Sequence, residues 1–348
     1  MAEDDWAVVV GIKNYPELSD LDGPENDARD FYTWLTSPNG GAVPEQQVQL
    51  IVSPDPPADK ATVARPTAEQ IQEAFDRLDD IANLEENNGR VGRRLYLYFS
   101  GHGFAPDFEQ AALLMANATQ KRTGLHILGK PYADWFFRSG YFREVVLFMD
   151  CCQEKYSKTV PRPIHFNEVT DMNAIDEGKR FYGFATKWSR LAQERMMEDG
   201  KVHGVFTTAL LKALGGAAAD SNRNITATSL GDWLYNNMRK FISEDALKND
   251  EISKDPDLLY EKNPQKTFIF TTVDTVPEFK VNIHVPAASA TKRLRVHDDK
   301  FKIVASVPAE SPLTRLSLPR GLYLAQIAAD DLEQNFEVTG LGEENVHF

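Results

Sequence analysis

Four short apolar runs, set far apart in the chain, constrain its fold more than any other feature. They fall at residues 6–12 (WAVVVGI), 95–99 (LYLYF), 145–149 (VVLFM) and 181–185 (FYGFA). None alternates apolar with polar side chains, so each suits a strand covered on both faces. Residues 266–272 offer a possible last strand. Helical spacing fills the intervals. Ala28, Phe31, Tyr32 and Leu35 follow Asn26 and Asp27, which read as capping residues. Thr67 and Gln70 make a capping box for a helix whose buried face would be Ile71, Ala74, Phe75, Leu78 and Ala82. Further helices are expected over 205–214 and 230–241. Strands and helices in alternation predict an α/β domain on a mostly parallel sheet flanked by helices.

Beyond residue 272 the pattern changes to short alternating segments such as FKVNIHV, FKIVASV and GLYLAQIA, separated by Pro, Gly and acidic turns. The predicted division is therefore an α/β domain over 1–272 and a small all-β, sandwich-like module over 273–348. Within the module, LPRGLYLAQI is similar to the P-x-G-x-Y hairpin of small β-sandwich accessory modules. Two long polar connections interrupt the first domain, a proline-rich one over 53–66 and another over 153–179. Long loops in compact domains are commonly functional or disordered, and the second, which follows the two cysteines, is read as functional.

The chain of 348 residues carries 52 acidic against 38 basic side chains, a formal charge of −14. That argues against a nucleic-acid surface, which needs clustered Lys and Arg, and suits partners or substrates carrying positive charge. The N-terminal run is acidic and strand-length, unlike a signal peptide, and no apolar stretch reaches the ~20 residues of a membrane span. The only two cysteines, Cys151 and Cys152, are adjacent, which excludes a disulfide framework. A cytoplasmic protein with reduced thiols and no membrane contact is expected.

The chemistry concentrates at two strand ends. YFSGHG turns the second apolar run into His102 between two glycines, and LFMDCC ends the third in Asp150, Cys151 and Cys152. Alone, the first is an ordinary turn and the second a pair of small buried hydrophobes. Adjacent cysteines cannot easily share a tetrahedral zinc ion and no histidine cluster completes one, so no metal and no other cofactor is predicted. If the two strands are neighbours, His102 and Cys152 share the carboxyl edge of the sheet, where ligands bind. An imidazole there can promote a thiolate. Gly101 would permit the sharp exit. Gly103, lacking a side chain, would let a substrate carbonyl reach its N–H, forming with the Cys152 N–H an oxyanion hole, roughly 3–4 kcal/mol per donor.

These motifs resemble the caspase-like cysteine peptidases, especially their metacaspase and prokaryotic branch. In that family the histidine follows SGHG and the nucleophile is the third residue of D-x-C. A histidine about fifty residues upstream of the cysteine belongs to the same pattern. LDGPENDARDF is similar to the family's early L-x-G-x-x-N-D-A segment, and FATKWSRLAQE…HGVFTTALLKAL to its later one. The resemblance spans roughly residues 5–245. It implies His102 as the base, Cys152 as the nucleophile, Gly103 as an oxyanion donor and Cys151 as packing. QEKYS after the cysteine departs from the His-Ser-Gly common in metacaspases, so nothing about the following loop, calcium dependence included, carries over.

The resemblance also implies a primary pocket. Asp27 matches the N-D-A aspartate, Asp150 precedes the nucleophile by two residues, and Ser100 would line the same slot. Two carboxylates suit a guanidinium or ammonium group, predicting cleavage after Arg or Lys. Trp188 could wall the next subsite. Read structurally, Asp27 is an N-cap, Asp150 a turn residue and Trp188 a packing side chain. Lys155, Lys158 and Arg162 are self-cleavage candidates, or simply a solvated loop. The expectation is a cytosolic endopeptidase acting on protein substrates with basic cleavage sites, in a regulated stress, defence or cell-death cascade, with a regulatory or activating partner. The alternatives are a scaffold or adaptor that binds without cutting, an acyltransferase on a related fold, and a domain that processes only itself.

Overall fold

The computed structural model describes residues 2–107, 110–155, 161–220, 222–263 and 267–348. They form two compact units, 1–212 with 226–271, and 213–225 with 272–348. Among the described residues of the first unit, a sheet is built from β1 (Asp5–Gly11), β2 (Val48–Val52), β3 (Gly92–Ser100), β4 (Phe142–Asp150), β5 (Lys179–Phe184) and β6 (Asp257–Tyr260). Their order is β6-β5-β4-β3-β1-β2. All neighbours run parallel except β6, which pairs antiparallel with β5. This is the mostly parallel α/β sheet anticipated.

The continuous apolar runs reflect helices on both faces. Leu95, Leu97 and Phe99 of β3 share one core with Val145, Leu147 and Met149 of β4. Ile71, Phe75 and Leu78 of α2 (Ala68–Ala82) and Phe136 of α3 (Gly129–Ser139) complete it. The alternate residues point the other way. Tyr98 stacks at 4.5 Å on Phe31 of α1 (Pro24–Thr36), and Phe148 lies 6.4 Å from Phe206 of α4 (Val205–Lys212). The Thr67/Gln70 capping box opens α2 as expected.

Three local readings are corrected. Helix α1 begins at Pro24 with Gly23 at its N-cap, so Asn26 and Asp27 lie inside the first turn. Proline at the first helical position needs no hydrogen bond for the N–H it lacks, and this sets the start. Strand Ile269–Thr272 lies outside the main sheet, whose last member is β6. In the second unit, the strands Leu313–Pro319 and Gly321–Ile327 belong to different sheets, so LPRGLYLAQI is a corner between sheets and not a hairpin. The Tyr323 hydroxyl fastens it by donating to Pro319 O at 2.8 Å. These two sheets, of three and four strands, enclose their own core of Val281, Ile283, Leu294, Val296, Ala325 and Ile327.

Candidate active site

β3 and β4 are neighbours, and their register pairs Ser100 with Asp150. His102 and Cys152 therefore each stand two residues beyond a matched pair, on the carboxyl edge of the sheet. Gly101 makes the exit at φ +154°, and a Cβ there would come within 2.6 Å of the Tyr15 hydroxyl. Both facts demand glycine. Gly103 opens strand Gly103–Ala105, and a Cβ on it would sit 2.6 Å from Cys151 Sγ and from Cys152 O. Glycine is thus required for the two loops to touch.

Tyr15 holds this turn. Its buried hydroxyl accepts the His102 N–H at 3.0 Å and donates to Leu114 O at 3.2 Å. Leu114 N–H in turn donates to His102 O at 2.8 Å. The hydroxyl thus occupies one rung of an antiparallel ladder. By the alternation of such ladders, Gly103 at the next rung directs its N–H away from Leu113, toward the edge where the Cys152 loop lies. Burial holds the Tyr15 phenol well above its usual range, so it stays neutral.

Cys151 is buried and packs under Gly103. The Cys152 thiol accepts the Ala192 N–H at 3.3 Å. Burial pushes it up to about 11, the acids Glu154, Asp150 and Glu194 adding to the rise. Gln153 fastens the segment by donating its N–H to Arg190 O and its Nε2 to Thr186 O, and by accepting Ser189 N–H. That loop carries Trp188, half-buried beside this stitching. His102 Nε2 lies 2.7 Å from Ser19 O, its ring 4.7 Å from that of Tyr15. Among the described residues no hydrogen bond joins His102 to Cys152.

The acids converge beneath. Asp27 is 1% exposed, Ser100 1% and Asp150 6%. Asp27 accepts Gly204 N–H at 3.0 Å and the Ser100 hydroxyl at 3.4 Å. Asp150 Oδ2 accepts the N–H and hydroxyl of Thr207, at 2.9 and 2.7 Å, in the first turn of α4. Gly204 lies between them, since a Cβ there would collide with Asp150 Oδ2 and lie 3.0 Å from Asp27 Oδ2. Burial, and then the charge of Asp27, pushes Asp150 up to about 7. Burial also raises Asp27, against hydrogen bonds from His203 and Gly204.

Sequence reasoning missed Tyr15, Glu194 and His203. Glu194 accepts N–H groups of Asp22 and Gly23 at the start of α1. His203 bonds Asp27 at 2.9 Å, and with Asp30 and Asp199 forms a group whose ligand atoms lie within 4.8 Å. Both of its ring nitrogens face carboxylate oxygens. Of the self-cleavage candidates, Lys158 lies outside the described residues. Arg162 donates its N–H to His126 Nε2 at 3.1 Å.

An imidazole and a thiol thus stand at the ends of neighbouring parallel strands, with two buried carboxyls close by. The family model for the caspase domain, peptidase C14, matches residues 4–264, and the chain belongs to that family. A probable protease of a Desulfuromonadales bacterium is 25% identical over 321 residues, 84% of this chain. The chain spans 37% of that relative's length. Among solved structures, a Geobacter sulfurreducens protein is similar with a TM-score of 0.44 at 15% identity, covering 78% of this chain and 100% of its own. Caspase-1 from Spodoptera frugiperda is similar with a TM-score of 0.43 at 12% identity, covering 74% of this chain and 88% of its own. Among the described residues, no helix is long and apolar enough to cross a membrane.

Proposed function

We propose that the chain is a cysteine endopeptidase that cuts proteins after Arg or Lys. Cys152 gives its proton to His102 and attacks the scissile carbonyl through sulfur. His102 returns the proton to the leaving amine, and a thioester remains. Water, losing a proton to His102, then attacks the thioester, and Cys152 leaves as the thiolate and is reprotonated. The oxyanion is received by the N–H groups of Gly103 and Cys152. The basic side chain enters beside Asp27, Asp150 and Ser100, with Trp188 at the neighbouring subsite.

The observation that supports this reading is the register pairing Ser100 with Asp150, which brings the ends of β3 and β4, and so His102 and Cys152, to one edge of the sheet, while Gly204 separately relates Asp150 to Asp27 of α1. Support for a regulated enzyme comes from the resting geometry. The thiol is hydrogen-bonded to Ala192 and the imidazole to Ser19, and among the described residues no hydrogen bond joins the two. A cytoplasmic effector in a stress, defence or cell-death cascade, woken by an activating partner and cutting substrates at basic sites, fits that arrangement and the chain's net acidity.

The test is cleavage of fluorogenic peptides ending in Arg, Lys or Asp, beside Cys152→Ala. Release after Arg and Lys that disappears in the variant is the expected result. Release after Asp alone would sink the acidic-pocket assignment. Release that survives Cys152→Ala would sink the nucleophile.

A further inference from the structure

His203 is 5% exposed and enters none of the proton transfers proposed above. Its Nδ1 lies 2.9 Å from Asp27 Oδ1 and its Nε2 3.0 Å from Asp199 Oδ2, with Asp30 Oδ2 at 3.8 Å. Ionised carboxylates only accept hydrogen bonds, so a ring between two of them needs a hydrogen on each nitrogen. A ring that donates to both is an imidazolium. Its acidity agrees, since the Asp27 hydrogen bond, ahead of that to Asp199, raises it to about 9 against the cost of burial.

The surrounding charges all bear on this cation. Asp27 and Asp30 come from α1, and Asp199 with Lys201 from the turn before strand Val202–Gly204. On the paired strand Glu194–Met196, Glu194 lies opposite Gly204 and Arg195 opposite His203 itself, the Arg195 guanidinium donating to Phe241 O at 3.1 Å. Asp150 stands at the end of β4, against Gly204. His203 is thus a buried positive charge set against one of two neighbouring acids. Two carboxyls in one dry slot cannot both ionise unless a cation is near, and otherwise share a proton. Here Asp27 spends its charge on His203, and Asp150 is the acid left to meet a substrate.

We propose that His203 is a positioning residue for primary-pocket specificity, holding Asp27 as an anion so that Asp27 and Asp150 do not share a proton. This rests on the reading of Asp27 and Asp150 as the substrate pocket. The imidazolium then sets the pH at which that pocket accepts a cationic side chain. Asp199, 47% exposed, holds the outer nitrogen and ties the pocket to the surface.

The test uses the full chain, its His203→Gln variant and the milder Asp199→Asn, which changes only a half-exposed side chain. Benzamidine binding followed by calorimetry from pH 5.5 to 9 reads the pocket without turnover, and KM and kcat for an Arg peptide read it during turnover. In His203→Gln the acid limb of binding is expected to move up by about one pH unit, with about tenfold weaker binding at pH 7. KM should rise more than kcat falls, and raising the pH should restore binding. Asp199→Asn should shift the limb the same way by less. A merely structural role would lower the melting temperature and leave the limb in place, and that result in both variants overturns the inference while the pocket stands. If the wild-type chain binds no benzamidine and cuts no basic peptide at any pH, the pocket reading fails and this inference with it. Nitrogen-15 spectra supply an independent check. The His203 ring should remain doubly protonated at pH 8, and a neutral tautomer there would overturn the proposal.

Discussion

Replacing Asp150 by asparagine should strengthen the fold while impairing the proposed site. Burial first, and then the Asp27 charge, lifts the folded-state value of Asp150 from 3.8 to about 7, against two hydrogen bonds from Thr207. A folded pKa above the unfolded one means that the native state holds this proton more tightly. The stabilising contribution is therefore complete below pH ~4 and is lost as pH rises through about 7. Three units at about 1.4 kcal/mol each give a ceiling of about 4 kcal/mol, part of which belongs to Asp27. Asparagine has the same shape and never ionises, and its carbonyl can keep both Thr207 bonds. Urea midpoints for Asp150→Asn and the wild-type chain should nearly coincide at pH 4. At pH 8 the variant should be the more stable by a few kcal/mol, while its cleavage after Arg falls. A gap that does not change with pH, or a variant less stable at pH 8, would refute the account of a buried, costly carboxylate.

Two further expectations concern the dyad. Tyr15→Phe leaves the His102 N–H and Leu114 O without the hydroxyl that bridges them, and should cost about 1–3 kcal/mol. An unchanged urea midpoint would show that the bridge contributes nothing. The Cys152 thiol, pushed up to about 11 by burial, should react with iodoacetamide at a rate still climbing between pH 8 and 10, since only the thiolate reacts. A plateau reached below pH 8 would reveal a resting thiolate–imidazolium pair and contradict the thiol held up by burial.

The paired strand ends were legible because their signals are local. YFSGHG and LFMDCC each show an apolar strand closing in reactive or conformationally demanding residues. The glycines explain themselves once a turn is assumed. The α2 capping box lies within four consecutive residues and could be read directly. Elsewhere local reading misled. Asn26 and Asp27 look like caps, but Pro24 starts the helix earlier and turns Asp27 inward, where it meets a strand 176 residues away in sequence. LPRGLYLAQI has the composition of a hairpin, yet its two halves pair with different partners. Strands β2 and β6 left little trace. β2 is only half-buried throughout, and β6 is a short edge strand, so neither forms a fully apolar run.

By itself, the sequence determined what its periodicities and punctuation encode. That includes a sheet buried on both faces, a change to alternating strands near residue 272, and a histidine and a cysteine at strand ends. Only the tertiary structure decided which ends are adjacent, because strand order depends on how helices pack across the sheet. It alone brought Tyr15 under His102, 87 residues away, and drew His203 between Asp27 and Asp199. A lone tyrosine or histidine has no local pattern that marks it. Its role comes from what burial removes from water around it, and that is settled only when distant segments close on one another.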